Sequence, residues 1–322
     1  MAMQAPDFTN PQSWAWNATL DREIAGATHA QVSYVGRSAS HLERARNINQ
    51  LQPGTVQANP GINANALRPY KGFGPITQYE TTGRSRYNGL QTQVERRSMR
   101  GVGFSVAYTF SRTKDDGSGR GDVLPNAFDE TGYYGISDLD RPHVLVTQYR
   151  YRFPTLDSRP AALRYVLGDW DLSGTFQAQS GTPFDVRTTV DIAGVGAGSG
   201  QQFYNMVGDP QAGRVAWDGT KAVWFDKNAF QAPATGTFGV QRQNPLRYPG
   251  FWDVNTALRK SFRTFGGQRF EYRLEAFNVF NHPRLNDQVV GNNVSNPNSG
   301  DFGLITSKTG NRTVQMALQY VF

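Results

Sequence analysis

The last twelve residues, NRTVQMALQYVF (311–322), alternate between large apolar side chains and polar or small ones. Val314, Met316, Leu318, Tyr320 and Phe322 fall on one parity, and Thr313, Gln315, Ala317 and Gln319 on the other. Val321 alone blurs the pattern. A period of two over about ten residues is an extended strand with one apolar and one wetted face. What the apolar face touches decides what kind of protein this is.

The same period recurs along the chain. In VGFSVAYTFS (102–111), Val102, Phe104, Val106, Tyr108 and Phe110 alternate with Gly103, Ser105, Ala107, Thr109 and Ser111. In WDLSGTFQAQ (170–179), Trp170, Leu172, Phe176 and Ala178 alternate with Asp171, Ser173, Thr175, Gln177 and Gln179. Weaker copies occupy WAWNATLDREI (14–24), THAQVSYVG (28–36), YNGLQTQVERR (87–97), RPHVLVTQYRYRF (141–153), WDVNTALRKSF (252–262) and QRFEYRLEAFNVF (268–280). In the last of these, aromatic residues alternating with charges favour a strand over a helix. The count is about nine strands, with no convincing amphipathic helix.

The connections carry as much information as the strands. AGA (25–27), SMRG (98–101) and TFGG (264–267) are tight hairpin links. The intervening connections run to about thirty to seventy residues, and short and long alternate along the chain. They are rich in Gly, Pro, Asn and Asp, as in TKDDGSGRGDVLPN (113–126), DIAGVGAGSGQQ (191–202), QAPATGTFGVQRQNPLRYPG (231–250) and NNVSNPNSGDFG (292–303). That composition predicts irregular, hydrated loops able to carry ligand contacts. PTLDSRPAALRYVLGD (154–169) breaks the rule, standing where a short turn is due, and predicts a helical turn or an extra strand.

Composition narrows the setting. The 322 residues include 20 Phe, 14 Tyr, 6 Trp and 34 Gly, and no stretch has the length of apolar residues that a membrane helix needs. Mean hydropathy is −0.56. This excludes a helical membrane protein but not a β-barrel, whose lipid face takes every second residue and hides from average hydropathy. Cysteine is absent, which removes disulfides, thiolate metal sites and cysteine nucleophiles. The net charge of +7 comes from arginines spread along the chain rather than a basic run, so nucleic acid is not an expected partner.

Aromatic rings cluster where the strands end: Tyr108 and Phe110 on one, Tyr149, Tyr151 and Phe153 on another, Trp170 opening the next and Phe322 closing the last. With Phe104 and Phe176 they make a candidate lipid-facing and interfacial set, since a flat amphipathic ring bridges chain and headgroup regions. The expected fold is all-β, an antiparallel up-and-down transmembrane β-barrel, with outer-membrane lipid as its surroundings. A soluble carbohydrate-binding β-sandwich is the all-β alternative.

If the last strand runs towards the periplasm, so does the first of nine, and its start lies outside the cell. An open edge in lipid leaves backbone groups unpaired, and single-chain bacterial barrels have an even strand number. MAMQAPDFTNPQSWAW (1–16) shows no basic start and apolar core of a signal peptide. Residues 1–322 are therefore expected to be the C-terminal part of one barrel domain, without its plug and N-terminal strands.

WAWNATLDREI followed by QVSYVGRSASHLERARNINQ (31–50), YNGLQTQVERR with GVGFSVAYTFSRTKDD (101–116), LSGTFQAQSGTPF (172–184), WFDKNAFQAPATGTFG (224–239), and RLEAFNVFNHPRL (273–285) with FGLITS (302–307) resemble the barrel of TonB-dependent outer-membrane receptors. The likeness is to the Oar-like branch, which carries a carboxypeptidase-regulatory-like domain. EAFNVFNHP (275–283), SGTPF (180–184) and the closing alternation to Phe322 carry most of it. The resemblance implies a roughly 22-stranded barrel, a plug, a TonB box, and uptake of a bulky nutrient such as a siderophore, glycan or peptide. It further implies that Val314, Met316, Leu318, Tyr320 and Phe322 form the C-terminal signal read by the barrel-assembly machinery. This sequence contains no plug or TonB box and too few strands, so import by this chain alone is not expected. A structural or adhesive surface protein is the alternative function.

No enzyme is expected, and no cofactor or metal site. Asp115 and Asp116 lack the spacing and distal Glu of a calcium loop and suggest a solvated one. Arg120-Gly121-Asp122 spells an adhesion tripeptide and nothing more. GVGAGSG (194–200) fails dinucleotide-loop spacing and predicts a flexible loop. His29, His41, His143 and His282 show no ligand pairing. Asp171, Gln177, Gln179, Arg150, Arg152, Glu271, Arg273 and Glu275 are the expected polar face, with Glu271, Arg273 and Glu275 forming a charge-pairing network.

Overall fold

The computed structural model describes residues 1–322 except 25–26, 100, 120–121, 240–243 and 286–293, and except the side chains of 98–99. Nine long strands follow one another: β1 (Gln12–Ile24), β2 (Thr28–Asn47), β3 (Thr77–Met99), β4 (Val102–Asp115), β5 (His143–Arg152), β6 (Asp171–Gln179), β7 (Phe251–Arg263), β8 (Arg269–Phe277) and β9 (Thr313–Val321). Each pairs antiparallel with its chain neighbour, so sheet order is sequence order. The all-β fold and the nine alternating segments agree with the sequence. A sandwich would need two packed sheets, and the nine strands form one, which removes the soluble alternative.

Because pairing in a pleated sheet preserves parity, the register decides which side chains share a face. One row runs Met316, Leu274, Leu258, Leu172, Tyr151, Val102. Another runs Trp252, Ala178, Leu145, Tyr108, Thr92, Val32, Leu20. Rows of the other parity read Ala317, Arg273, Arg259, Asp171, Arg152 and Gln315, Glu275, Ala257, Ser173, Arg150. Nine strands thus present one continuous apolar face and one continuous polar face.

β2 and β3 are longer than the alternation implied. Beyond Ser38 and Arg86, which pair, the sequence of β2 continues as ASHLERARN, polar on both parities. A bulge at Ala39–Leu42–Arg44, with His41 in the left-handed region at φ 55°, shifts the register there. Above that point β2 runs against the loop body, with Arg44, Ala45 and Asn47 buried, so neither side meets lipid and the period-two signal ends where the apolar face ends.

The short links lie at one end of the sheet, although the hairpin residues Ala25, Gly26 and Arg100 fall outside the described residues. The 154–169 connection contains a helix, Ala161–Leu167. The long connections at the other end are not loose, hydrated loops. Phe184, Val186, Ala222, Phe225, Ala229, Phe230, Leu246, Val294 and Ile305 form a buried cluster drawn from the segments after β6 and after β8. The segment after β2 joins them through Leu51 N to Val195 O (3.2 Å) and Gly54 N to Ala193 O (2.8 Å). The segment after β4 joins through Gln50, whose amide donates to Pro125 O (2.7 Å) and accepts from Ala127 N (2.6 Å). The apolar core of the described chain sits in this loop body, while the sheet leaves its faces open.

Glycine in the sheet makes room for rings. Gly174 pairs with Tyr149, whose ring lies across it and whose Oη is 2.7 Å from Thr256 Oγ1. A Cβ there would lie 2.4 Å from Tyr149 Oη and 2.2 Å from Asn255 O. Gly174→Val is expected to cost about 1–3 kcal/mol through overpacking. It will lower the temperature at which the folded band converts to the unfolded band on detergent gels. A variant with the parent transition would show that the ring does not need the gap.

Candidate functional site

On the apolar face the aromatic residues gather into two belts. At the turn end Tyr320 lies 4.8 Å from Phe270 and 6.2 Å from Phe322, centroid to centroid. Trp170 makes edge contacts with Phe262 (6.3 Å) and Tyr272 (6.1 Å), and Tyr151 packs on Phe153 at 4.8 Å. Phe104 and Tyr149, paired in register, lie on the same side of the sheet's midline. At the loop end Tyr108 Oη meets His143 Nδ1 at 2.8 Å, Phe110 lies 5.2 Å from the same imidazole, and Trp252 stacks on His282 at 4.1 Å. Trp14 and Trp16 continue this belt on β1.

Between the belts lie Leu20, Val32, Val106, Leu145, Phe176, Val254, Leu258, Leu274, Met316 and Leu318. Val314 is nearer the loop end, and Phe322 lies beyond β9. The ten-residue separation of Trp14 from Ile24 on β1 spans about 34 Å at 3.4 Å per residue, or about 25 Å across the sheet at the usual strand tilt. That equals the apolar height of an outer-membrane barrel. The thirteen residues singled out from the sequence thus fall on one side, four on the last strand with Phe322 just after it, and eight across β4 to β6 and the ends flanking the β5–β6 connection. Sequence reading missed Tyr165, 5.6 Å from Phe262, because its helix is too short to show a period. It also missed Lys260, which sits at an apolar parity beside Leu258 and Phe262.

The polar face is laced by charge. Arg150 pairs with Asp171 (2.7 Å), Arg152 with Asp169 (3.0 Å), Arg273 with Glu275 (3.4 Å) and Arg269 with Glu271 (2.6 Å). Towards the loop end, Arg46 forks onto Glu80 with bonds of 2.7 and 2.8 Å and reaches Glu130 at 3.1 Å. Between this face and the loop body is a cavity of about 300 Å³ lined by Arg44, Asp116, Asp122, Tyr133, Arg187 and Phe203, among others. The Arg187 guanidinium lies 5.3 Å from the Phe203 ring, and burial pushes the Tyr133 phenol up to about 12. It is a mixed aromatic and charged recess opening at the end where the long connections are.

Two expectations about loop motifs are corrected. Asp115 is buried and the Asp116 side chain is only 8% exposed, so neither is freely solvated: Ser118 Oγ donates to Asp115 at 3.1 Å, and Asp116 accepts from Arg84 N at 2.8 Å. Among the described residues no cluster of His, Asp and Glu has the geometry to hold a metal ion. GVGAGSG is held firmly: Asp191 accepts from Val195 N (3.0 Å) and Gly196 N (2.7 Å), and Val195 is fully buried. Arg68, itself buried, donates to Ala197 O at 2.8 Å. A Cβ on Gly196, at φ 78°, would lie 2.9 Å from that guanidinium. Arg120 and Gly121 of the RGD tripeptide fall outside the described residues.

Asp140 ties the loop body to the sheet. Its fully buried carboxylate accepts from Thr113 N (2.6 Å) on β4 and Arg112 (3.3 Å), and from Arg247 of the segment after β6. Asp140→Ala takes the carboxylate away from the Thr113 N–H and from the partly exposed Arg112 and Arg247 guanidiniums, which costs about 1–3 kcal/mol. External protease is expected to cut residues 180–250 of this variant at least tenfold faster, while the heat transition of the sheet moves little. Equal protection in parent and variant would refute the anchoring role.

No curated protein sequence matches this chain. Among solved structures it is similar to the outer membrane transporter YddB from Escherichia coli, with 11% identity, a TM-score of 0.49, and coverage of 98% of this chain and 33% of that one. It is also similar to the FrpB iron transporter from Neisseria meningitidis, with 10% identity, a TM-score of 0.44, and coverage of 99% and 32%. A third is the siderophore receptor PiuA from Acinetobacter baumannii, with 8% identity, a TM-score of 0.34, and coverage of 96% and 33%. The chain spans about a third of the length of each. The outer membrane beta barrel domain matches over residues 1–315, nearly the whole sequence and all nine strands but the end of the last, and the chain belongs to that family.

Proposed function

We propose that this outer-membrane chain is the C-terminal part of the barrel of a TonB-dependent receptor of the Oar-like branch. The whole receptor imports a bulky nutrient (a siderophore, glycan or peptide), driven through TonB by way of a plug that lies elsewhere in the protein. The observation that carries this reading is the two-faced sheet capped at one end by folded long connections. Its apolar face suits lipid, its polar face suits a lumen or a plug, and the cavity between sheet and loop body offers a ligand both charge and aromatic surface.

The sheet edges support the fragment reading. Among the described residues β1 pairs only with β2, and β9 only with β8. An edge left open in hydrocarbon costs several kcal/mol for each unpaired backbone group, a cost that further strands closing the barrel would remove in this reading. In the same reading Val314, Met316, Leu318, Tyr320 and Phe322 present the assembly signal to the barrel-assembly machinery and then face lipid. Phe104, Tyr108, Phe110, Tyr149, Tyr151, Phe153, Trp170 and Phe176 share that outer face.

The test is growth of the source bacterium with a ferric siderophore as sole iron source, an oligosaccharide as sole carbon source, or a peptide as sole nitrogen source. Deleting the gene and deleting TonB are each expected to abolish growth on the same one of these and to spare growth on small nutrients. Growth of the gene deletion on every source, together with loss of surface attachment, would overturn import in favour of a structural or adhesive role.

A further inference from the structure

The helix Ala161–Leu167 lies on the apolar face of the sheet, at its turn end. Tyr165 places its ring 5.6 Å from that of Phe262 and donates from Oη to Arg263 O at 3.2 Å. The Trp170 indole N–H donates to Val166 O at 3.0 Å. The partner of the helix is Lys260, which the register places on the apolar face opposite Tyr272. Its ammonium donates to Val166 O at 3.1 Å and to Gly168 O, and lies 5.3 Å from the Trp170 ring and 5.1 Å from the Phe262 ring. A cation that would otherwise face hydrocarbon is thereby capped by the helix C-terminus, where the backbone dipole favours positive charge.

At 100° per residue, Leu163, Val166 and Leu167 share one face of this helix and Tyr165 points the opposite way. With Tyr165 turned to the sheet, the other three turn outwards. They are 48%, 54% and 56% exposed, and Tyr165, though its ring contacts Phe262, is 49% exposed, so the helix stands half out from the sheet. Tyr165 and Trp170 join the helix to Phe262 and Tyr272 of the apolar face. Arg159 and Arg164 flank them and make no ion pair among the described residues.

We propose that residues 154–169 form a phospholipid-binding foot. Leu163, Val166 and Leu167 insert among the acyl chains of the leaflet at the turn end, and Arg159 and Arg164 lie at the level of its phosphates. The occupant follows from continuity with the family's membrane-facing surface and from the pairing of an apolar patch with unpartnered cations. The proposal rests on the outer-membrane barrel and not on import.

The chain lacks cysteine, so Val166→Cys and Met316→Cys each give a single site for a bimane label. The whole receptor of which this chain is part, with any cysteine outside these residues replaced by serine, is reconstituted in phosphatidylethanolamine and phosphatidylglycerol vesicles with bromine at acyl positions 6,7 or 11,12. The label at position 166 is expected to lose at least half its fluorescence to the shallow bromines and less to the deep ones. The label at 316 should be quenched more by the deep ones. Leu163→Cys provides a second reporter on the same helix face. Quenching at 316 with none at 163 and 166 overturns the foot and leaves the barrel standing, whereas no quenching at any position overturns both. In a Leu163→Ser, Leu167→Ser background, quenching at 166 is expected to fall at least twofold with 316 unchanged. Full retention at 166 would mean that the strands, not the apolar face, set its depth, and would refute anchoring.

Discussion

Backbone hydrogen bonding in hydrocarbon is the constraint on which the rest depends. Lipid offers no partner for an N–H or a C=O, so a chain crossing it as strands must satisfy every group across the ladder. The ladder fixes register, and register fixes parity. A one-residue slip would exchange Met316, Leu274, Leu258 and Leu172 for Ala317, Arg273, Arg259 and Asp171. No packing between layers is needed to hold the nine strands, which explains why the buried apolar core lies outside the sheet. Water returns at the loop end, and there the chain builds a conventional core around Phe184, Phe225 and Ile305.

The parts of the fold that were legible in the sequence are those governed by parity. VGFSVAYTFS, WDLSGTFQAQ and the closing segment each read as two-faced strands, and each takes its place in the sheet. The upper halves of β2 and β3 were not legible, because both sides of them are polar and nothing alternates. The loop body was also hidden. Its ties join Gln50 to Pro125, Arg68 to Ala197 and Asp140 to Arg247, contacts across long stretches of sequence that leave no local pattern. Glycine-rich composition suggested looseness at 194–200, yet those glycines are what let the backbone turn tightly around Asp191 and beneath Arg68.

The motifs that carry the resemblance prove to be fold determinants. In EAFNVFNHP, Asn278 and Asn281 take left-handed conformations at φ 49° and 52° as β8 ends. Asn278 accepts from His282 N (2.9 Å) and donates to His282 O (2.9 Å), and Asn281 accepts from Arg312 N (3.0 Å), so the pair fixes where β9 begins. SGTPF puts Phe184 into the loop core 4.3 Å from Tyr248, and a Cβ at Gly181 would lie 1.8 Å from Tyr248 O. Residues so placed identify the architecture without bearing on what the cavity holds. The recess is lined by other residues, among them Arg44, Arg187, Tyr133 and Phe203.

Lys260 shows how the turn end departs from simple alternation and why it can. On parity alone a lysine opposite Tyr272 belongs to the lipid side, where a bare ammonium is costly. A tight hairpin between β5 and β6 would leave it there. The longer connection instead supplies a helix whose last carbonyls receive the ammonium, while Trp170 and Phe262 offer their ring faces. The lysine in turn satisfies carbonyls that a helix C-terminus leaves open. Charge and connection length are two halves of one solution: the anomalous link explains the anomalous residue, and neither is explicable from its own strand alone.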